Sequence, residues 1–212
     1  ADGDGLPEWR DASRDAGLEG FRSTQALMAA DIDLDGDLDI YAANAMDNDF
    51  WPGGATKWAG GANALYVNQL AQTGKLVFEE RGEAMGVDGV FDADYPQPTL
   101  HRIWRLPGLP AEYSLVSMQF EEYTPEPLEI NGDVAEAGEI SWAALFQDAN
   151  EDGYPDLWVA NDLGQLRLYR NEGGERFVDS EHARSARTGM WMTLAAGDFD
   201  GDGAEDLLAG NM

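Results

Sequence analysis

Asp31-Ile-Asp-Leu-Asp-Gly-Asp-Leu-Asp39, followed at once by Ile-Tyr-Ala-Ala-Asn44, decides how the rest of this chain is read. Two later stretches align with it without gaps. They are Asp148-Ala-Asn-Glu-Asp-Gly-Tyr-Pro-Asp156 with Leu-Trp-Val-Ala-Asn161, and Asp198-Phe-Asp-Gly-Asp-Gly-Ala-Glu-Asp206 with Leu-Leu-Ala-Gly-Asn211. A short apolar run precedes each: Leu27 to Ala30, Trp142 to Phe146 and Met190 to Ala196. Runs this short, bounded by turn residues, suit buried strands better than amphipathic helices. The unit is therefore strand, acidic loop, strand, and it recurs three times.

Working outward, a second pattern trails the unit. Asn63-Ala-Leu-Tyr-Val-Asn68 matches Gln165-Leu-Arg-Leu-Tyr-Arg-Asn171, each reading as a third strand that stops at a turn. Leu76 to Glu80 and Arg176 to Asp179 then read as fourth strands, and Glu8-Trp-Arg-Asp11 fits the same place. Asp2-Gly3-Asp4-Gly5 becomes the turn before that strand. Four short strands in about 50 residues make a propeller blade. The expected fold is all-β: a β-propeller segment of about three blades over residues 1–212, with insertions at 45–62 and 88–140. The second insertion leaves open a degenerate extra blade. A closed ring needs at least four blades and open blades leave strand edges unpaired. The expectation is therefore a longer protein, or a partner chain that completes the ring.

The loops carry the chemistry. Counting from the first Asp, oxygen side chains stand at positions 1, 3, 5 and 9: Asp31, Asp33, Asp35, Asp39; Asp148, Asn150, Asp152, Asp156; and Asp198, Asp200, Asp202, Asp206. Gly36, Gly153 and Gly203 hold position 6, where a glycine lets the backbone curl around a centre. The carbonyl at position 7 (Asp37, Tyr154, Ala204) is then placed to point inward. Four side chains, one carbonyl and a water make six or seven hard oxygen ligands, within the six to eight that calcium takes, whereas magnesium asks for a stricter octahedron. The loops contain no His or Cys, which leaves zinc and copper poorly matched. Up to three calcium ions are expected. An EF-hand loop starts the same way but needs Glu at position 12 and a following helix. Position 12 here is Ala42, Val159 or Ala209, so the ninth residue is expected to close the site as a bidentate ligand. Carboxylates about 5 Å apart repel by roughly 3 kcal/mol at an effective dielectric near 20. Folding and calcium binding are thus expected to be linked.

Composition agrees. The chain has 212 residues, 41 acidic against 13 basic, and a net charge of -28. Such a surface repels nucleic acid and anionic membranes, and attracts cations or a basic partner. There is no Cys, hence neither disulfides nor thiolate sites. There is also no apolar stretch long enough for a transmembrane helix.

Taken together, Asp-x-Asp-x-Asp-Gly-x-x-Asp before a strand, Leu-Tyr-x-Asn, and Gly-x-x-Phe-x-Asp resemble the FG-GAP/VCBS repeat. The subgroup that looks closest is the ASPIC/UnbV type, which includes cartilage acidic protein. Residues 142–171 and 190–212 match that pattern best, 21–44 and 63–87 well, and 45–62 and 88–140 not at all. The resemblance implies an extracytoplasmic, integrin-α-type β-propeller with calcium in its loops and no general catalytic activity. It carries the metal positions over to the three loops above, with Asn150 in place of the usual Asp.

Strand alternation puts the acidic loops and the third-to-fourth turns on one face, and both insertions on the other. Long loops on a rigid scaffold carry binding. Trp51, Trp58, His101 and Trp104 are the candidate contacts there for a protein or glycan partner. Two other classes stay open. One is a polysaccharide-active lyase or hydrolase, with carboxylates such as Glu121, Glu122 and Asp133. The other is an accessory subunit of a larger extracytoplasmic complex. His101 and His182 stand in unrelated contexts, and Ser114, Ser117 and Ser141 lack a nucleophile motif, so catalysis has little support. The expected location is periplasmic, cell-surface or secreted, where free calcium is abundant.

Overall fold

The computed structural model describes residues 9–18, 22–47, 61–89, 102–105, 114–117, 129–130, 133–134, 140–180, 185 and 189–212. Strands β1 (Arg22–Ala30), β2 (Asp39–Asp47), β3 (Ala64–Asn68) and β4 (Phe78–Glu80) form an antiparallel sheet in chain order. The third strand and the core of the fourth fall where the sequence puts them. A single helical turn, α1 (Leu70–Thr73), sits between β3 and β4 and closes on Gly74, whose φ of 71° is left-handed. β2 runs on to Asp47, past the expected start of the insertion at residue 45.

Within residues 88–140 the backbone forms two separate hairpins: β5 (Arg102–Arg105) with β6 (Ser114–Ser117), and β7 (Glu129–Ile130) with β8 (Asp133–Val134). The second four-stranded meander follows: β9 (Ile140–Gln147), β10 (Asp156–Gly164), β11 (Arg167–Asn171) and β12 (Phe177–Asp179). A third unit opens with the antiparallel pair β13 (Gly189–Gly197) and β14 (Asp206–Asn211). The fold is all-β, and every strand pairing among the described residues is antiparallel.

The units are stacked through their first strands: β1 and β2 pack on β9, and β9 on β13. β10 also pairs directly with β13, at Asp162↔Met190 and Gly164↔Gly189. Such close stacking demands small residues. Ala42, Ala43, Ala144 and Ala160 are all buried, which explains why the second strands read as continuous apolar runs rather than alternating ones. The core lies between the first two units. Ile32, Tyr41, Leu65 and Val67 from one side meet Leu157, Val159, Tyr169 and Phe177 from the other, with Met85 and Val87 between them. Tyr41 stands edge-on to Phe146, and its hydroxyl donates to the carbonyl of Val87 at 3.1 Å. That bond satisfies the one polar atom a buried tyrosine brings.

One strand expectation fails. Trp9 to Asp11 form no strand, and Trp9 is exposed. Among the described residues no third strand lies beside this segment, so its backbone has no ladder to join. The chain turns instead. Ala16 donates to the carbonyl of Ala12, and Leu18 to that of Ser13. The same turn follows β4, where Met85 donates to Arg81 and Val87 to Gly82. Each turn then presents a carbonyl to the next fourth strand: Ala16 to the N–H of Phe78 at 2.8 Å, and Met85 to that of Phe177 at 2.9 Å. Ala16-Gly17-Leu18 and Met85-Gly86-Val87 are thus a repeated clasp between successive units.

Candidate metal centre

The three acidic loops join β1 to β2, β9 to β10 and β13 to β14. They share one backbone. Position 6 is left-handed in all three, with φ of 96°, 95° and 94° at Gly36, Gly153 and Gly203. An added Cβ at any of these meets nothing within 4 Å, so the glycine is required by its dihedral and not by space. Position 4 is left-handed as well, at Leu34 (60°), Glu151 (58°) and Gly201 (80°). A side chain in that region costs about 1–2 kcal/mol. Two loops therefore hold a strained residue that the rest of the loop must keep in place.

What keeps it in place is a ring of hydrogen bonds from backbone N–H groups to the acidic side chains. The position-1 carboxylate accepts the N–H of position 6 at 3.1, 2.8 and 3.0 Å in the three loops. Position 3 accepts from position 5, and position 5 from position 7, in each loop. Position 9 reaches back to the N–H of position 2 at 3.0, 3.1 and 3.0 Å. All four oxygen-bearing positions therefore turn inward, and in the first and third loops oxygens of positions 1, 3 and 9 converge. Asp31, Asp33 and Asp39 bring ligand atoms within 4.8 Å of one another, as do Asp198, Asp200 and Asp206. Position 5 stands outside that convergent group. In the second loop Asn150 occupies position 3, and its amide donates to Asp152 at 2.9 Å.

The ninth carboxylate has a further task that the sequence did not announce. Its other oxygen accepts the backbone N–H of the asparagine ending the third strand, Asn68 at 2.8 Å and Asn171 at 2.7 Å. Asp39 and Asp156 are buried as a result. Burial pushes the Asp39 carboxyl up to about 6, against the pull of the Asn68 and Ile32 N–H donors. Burial raises Asp156 as well, opposed by the N–H groups of Asn171 and Ala149. Asp33 is raised by burial first and then by the charge of Asp35. Two of the loops thus contain acids whose charged forms lack a counter-charge.

The first loop is also roofed. The N–H of Ala71 in α1 donates to Asp37 at 2.7 Å, and the Gln72 amide reaches Asp35. Beneath this roof, Asp31 Oδ1 and Asp37 Oδ1 are buried with no hydrogen-bond partner. Orphaned buried carboxylate oxygens beside converging Asp33 and Asp39 suit a hard cation. The donor set, wholly oxygen and anionic, fits calcium chemically. The other two loops are largely exposed up to position 8.

Neighbouring loops are tied together. The side chain of Asn171 donates to the carbonyl of Pro155 in the second loop (3.1 Å) and to that of Ile32 in the first (2.8 Å). Gln147 donates to the carbonyl of Glu205 in the third loop at 3.2 Å and accepts from Trp158 at 2.9 Å. Asn68, Gln72, Asn171 and Gln147 were not foreseen as loop residues. The Leu-Tyr-x-Asn ending shared by Asn68 and Asn171 was the available signal for two of them.

Trp51, Trp58 and His101 lie outside the described residues, as do His182, Glu121 and Glu122. Trp104 lies in β5, its backbone paired opposite Leu115, and Asp133 lies in β8. Ser141 is buried, accepting from Asn63 at 3.0 Å and donating to Asn161 at 2.9 Å. It serves as a polar tie between the first two units rather than as a nucleophile.

The FG-GAP-like repeat family matches residues 148–209, which begins at the second acidic loop and ends within β14. No curated protein matches the chain significantly. Among the described residues no helix is long and apolar enough to cross a membrane.

Proposed function

We propose, from the FG-GAP-like repeat as premise, that this chain is part of an extracytoplasmic β-propeller braced by calcium in its acidic loops and acting as a protein- or glycan-binding module. One observation carries the reading. Three loops far apart in sequence adopt the same left-handed positions 4 and 6 and the same inward ring of carboxylates, two of them around converging oxygens. Solvated acidic turns have no reason to agree so closely. In this reading positions 1, 3, 5 and 9 offer side-chain oxygens, and the carbonyls of Asp37, Tyr154 and Ala204 offer a fifth. The ninth carboxylate, already holding two N–H groups in each of the first two loops, binds through its remaining lone pairs. Calcium supplies the positive charge that the raised carboxyls of Asp33, Asp39 and Asp156 lack.

The ion's role here is structural: it fixes the link from first to second strand in each unit. Partner recognition is assigned to the two insertions, residues 45–62 and 88–140. Titration calorimetry tests the metal reading. Calcium is expected to bind at up to three sites and raise the melting temperature, while magnesium binds more weakly. Absence of calcium heat at millimolar concentration defeats the proposal.

A further inference from the structure

We infer that the first two calcium loops are coupled through Asn171, so that filling one tightens the other; this rests on the calcium reading above. Asn171 is buried, and its backbone N–H, side-chain amide and side-chain oxygen are all hydrogen-bonded. Its backbone N–H goes to Asp156, which closes the second loop, at 2.7 Å. Its amide donates both to Pro155 of that loop and to Ile32 of the first. Its side-chain oxygen accepts the N–H of Gly174 at 2.8 Å. One side chain therefore grips position 8 of one loop and position 2 of the next.

Gly174 makes the contact steric as well. A Cβ at this left-handed residue (φ 80°) lies 2.6 Å from both Cα and Cβ of Asp33, a convergent oxygen donor of the first loop. The turn between β11 and β12 is seated on the first loop with no slack. Ile32, which receives the amide of Asn171, also donates its N–H to Asp39 at 3.0 Å. A continuous path runs from Asp156 through Asn171 and Ile32 to Asp39. When an ion fixes Asp156 and Pro155, Asn171 is fixed with them, and the first loop loses less freedom on closing. Shared ordering of this kind gives positive cooperativity, and coupling free energies are reciprocal between sites.

The test follows each loop separately in the intact, glycine-labelled protein. The amides of Gly36 and Gly153 report the first and second loops, because each donates to its own position-1 carboxylate. Calcium is titrated into the protein, into Asp152→Asn and into Asn171→Ala. In Asp152→Asn, altered only at an exposed residue of the second loop, the Gly36 midpoint is expected to move to about fivefold higher calcium or more. In Asn171→Ala, provided the spectrum stays dispersed, the two midpoints separate. An unchanged Gly36 midpoint in Asp152→Asn overturns the coupling while leaving calcium binding intact. No calcium response at either glycine overturns both.

Discussion

The carbonyl of Met85 accepts the N–H of Phe177 at 2.9 Å, so the turn that ends one four-stranded unit is hydrogen-bonded to the last strand of the next. Ala16 and Phe78 repeat the arrangement at 2.8 Å. The unit boundary is a built contact, and the glycines beside it mark how close it is.

Gly17→Ala and Gly86→Ala are therefore expected to destabilise the fold. An alanine Cβ sits 2.8 Å from the carbonyl oxygen of Phe78 in the first case and 3.1 Å from that of Phe177 in the second, both at left-handed φ. Strain and overlap together cost about 1–3 kcal/mol. Gly153→Ala, which meets only the dihedral penalty, is expected to lose about 1 kcal/mol. Denaturant midpoints should rank the variants in that order, with Gly17→Ala the most damaging.

Relief of strain runs the other way. Glu151 is exposed and Leu34 is 52% exposed, yet both hold left-handed φ. The third loop already has Gly201 there. Glu151→Gly is expected to stabilise the protein by up to about 1 kcal/mol, since the removed strain exceeds the extra freedom gained by the unfolded chain. Chemical denaturation in chelator reads the difference.

The ninth carboxylate should be indispensable. Asp156→Asn keeps the size but turns one of two acceptors into a donor, facing the N–H of either Ala149 or Asn171. A buried donor opposite a donor costs about 1–3 kcal/mol. Hydrogen exchange should show faster exchange at Asn171 and Ala149 than in the parent.

The apo and calcium-loaded forms should respond oppositely to pH. Asp39 has its carboxyl pushed up to about 6 in the fold, against an ordinary value of 3.8. The folded state therefore holds the proton more tightly than the unfolded state. This group's contribution to stability is full below about pH 4 and is lost as pH rises through about 6. Calcium needs the carboxylate form, so its affinity grows over the same interval. A carbon-detected titration of the Asp39 carboxyl in chelator should give a midpoint near 6, displaced downward by calcium.

The repeat was legible because each loop announces itself through alternating oxygen side chains, a glycine at position 6 and a four-residue run that ends before an asparagine. The third and fourth strands followed from Leu-Tyr-x-Asn and the Phe positions. Trp9 misled because it occupies the same sequence position as Phe78 and Phe177, whereas a strand exists only where an edge is present to pair with it. The roof over the first loop was hidden for another reason. Ala71 and Gln72 lie more than 30 positions from the aspartates they bond, and nothing in a helix-forming tetrapeptide signals such a long-range contact. The clasp was missed because Ala16-Gly17-Leu18 and Met85-Gly86-Val87 are too short and apolar to stand out.

A crystal structure of the protein grown in calcium puts the matter most directly. An ion in the first loop held by oxygens of Asp31, Asp33, Asp35 and Asp39 at about 2.3–2.6 Å, with matching ions in the other two, is the expected result. Fully ordered loops in saturating calcium, with water alone among those oxygens, contradict it.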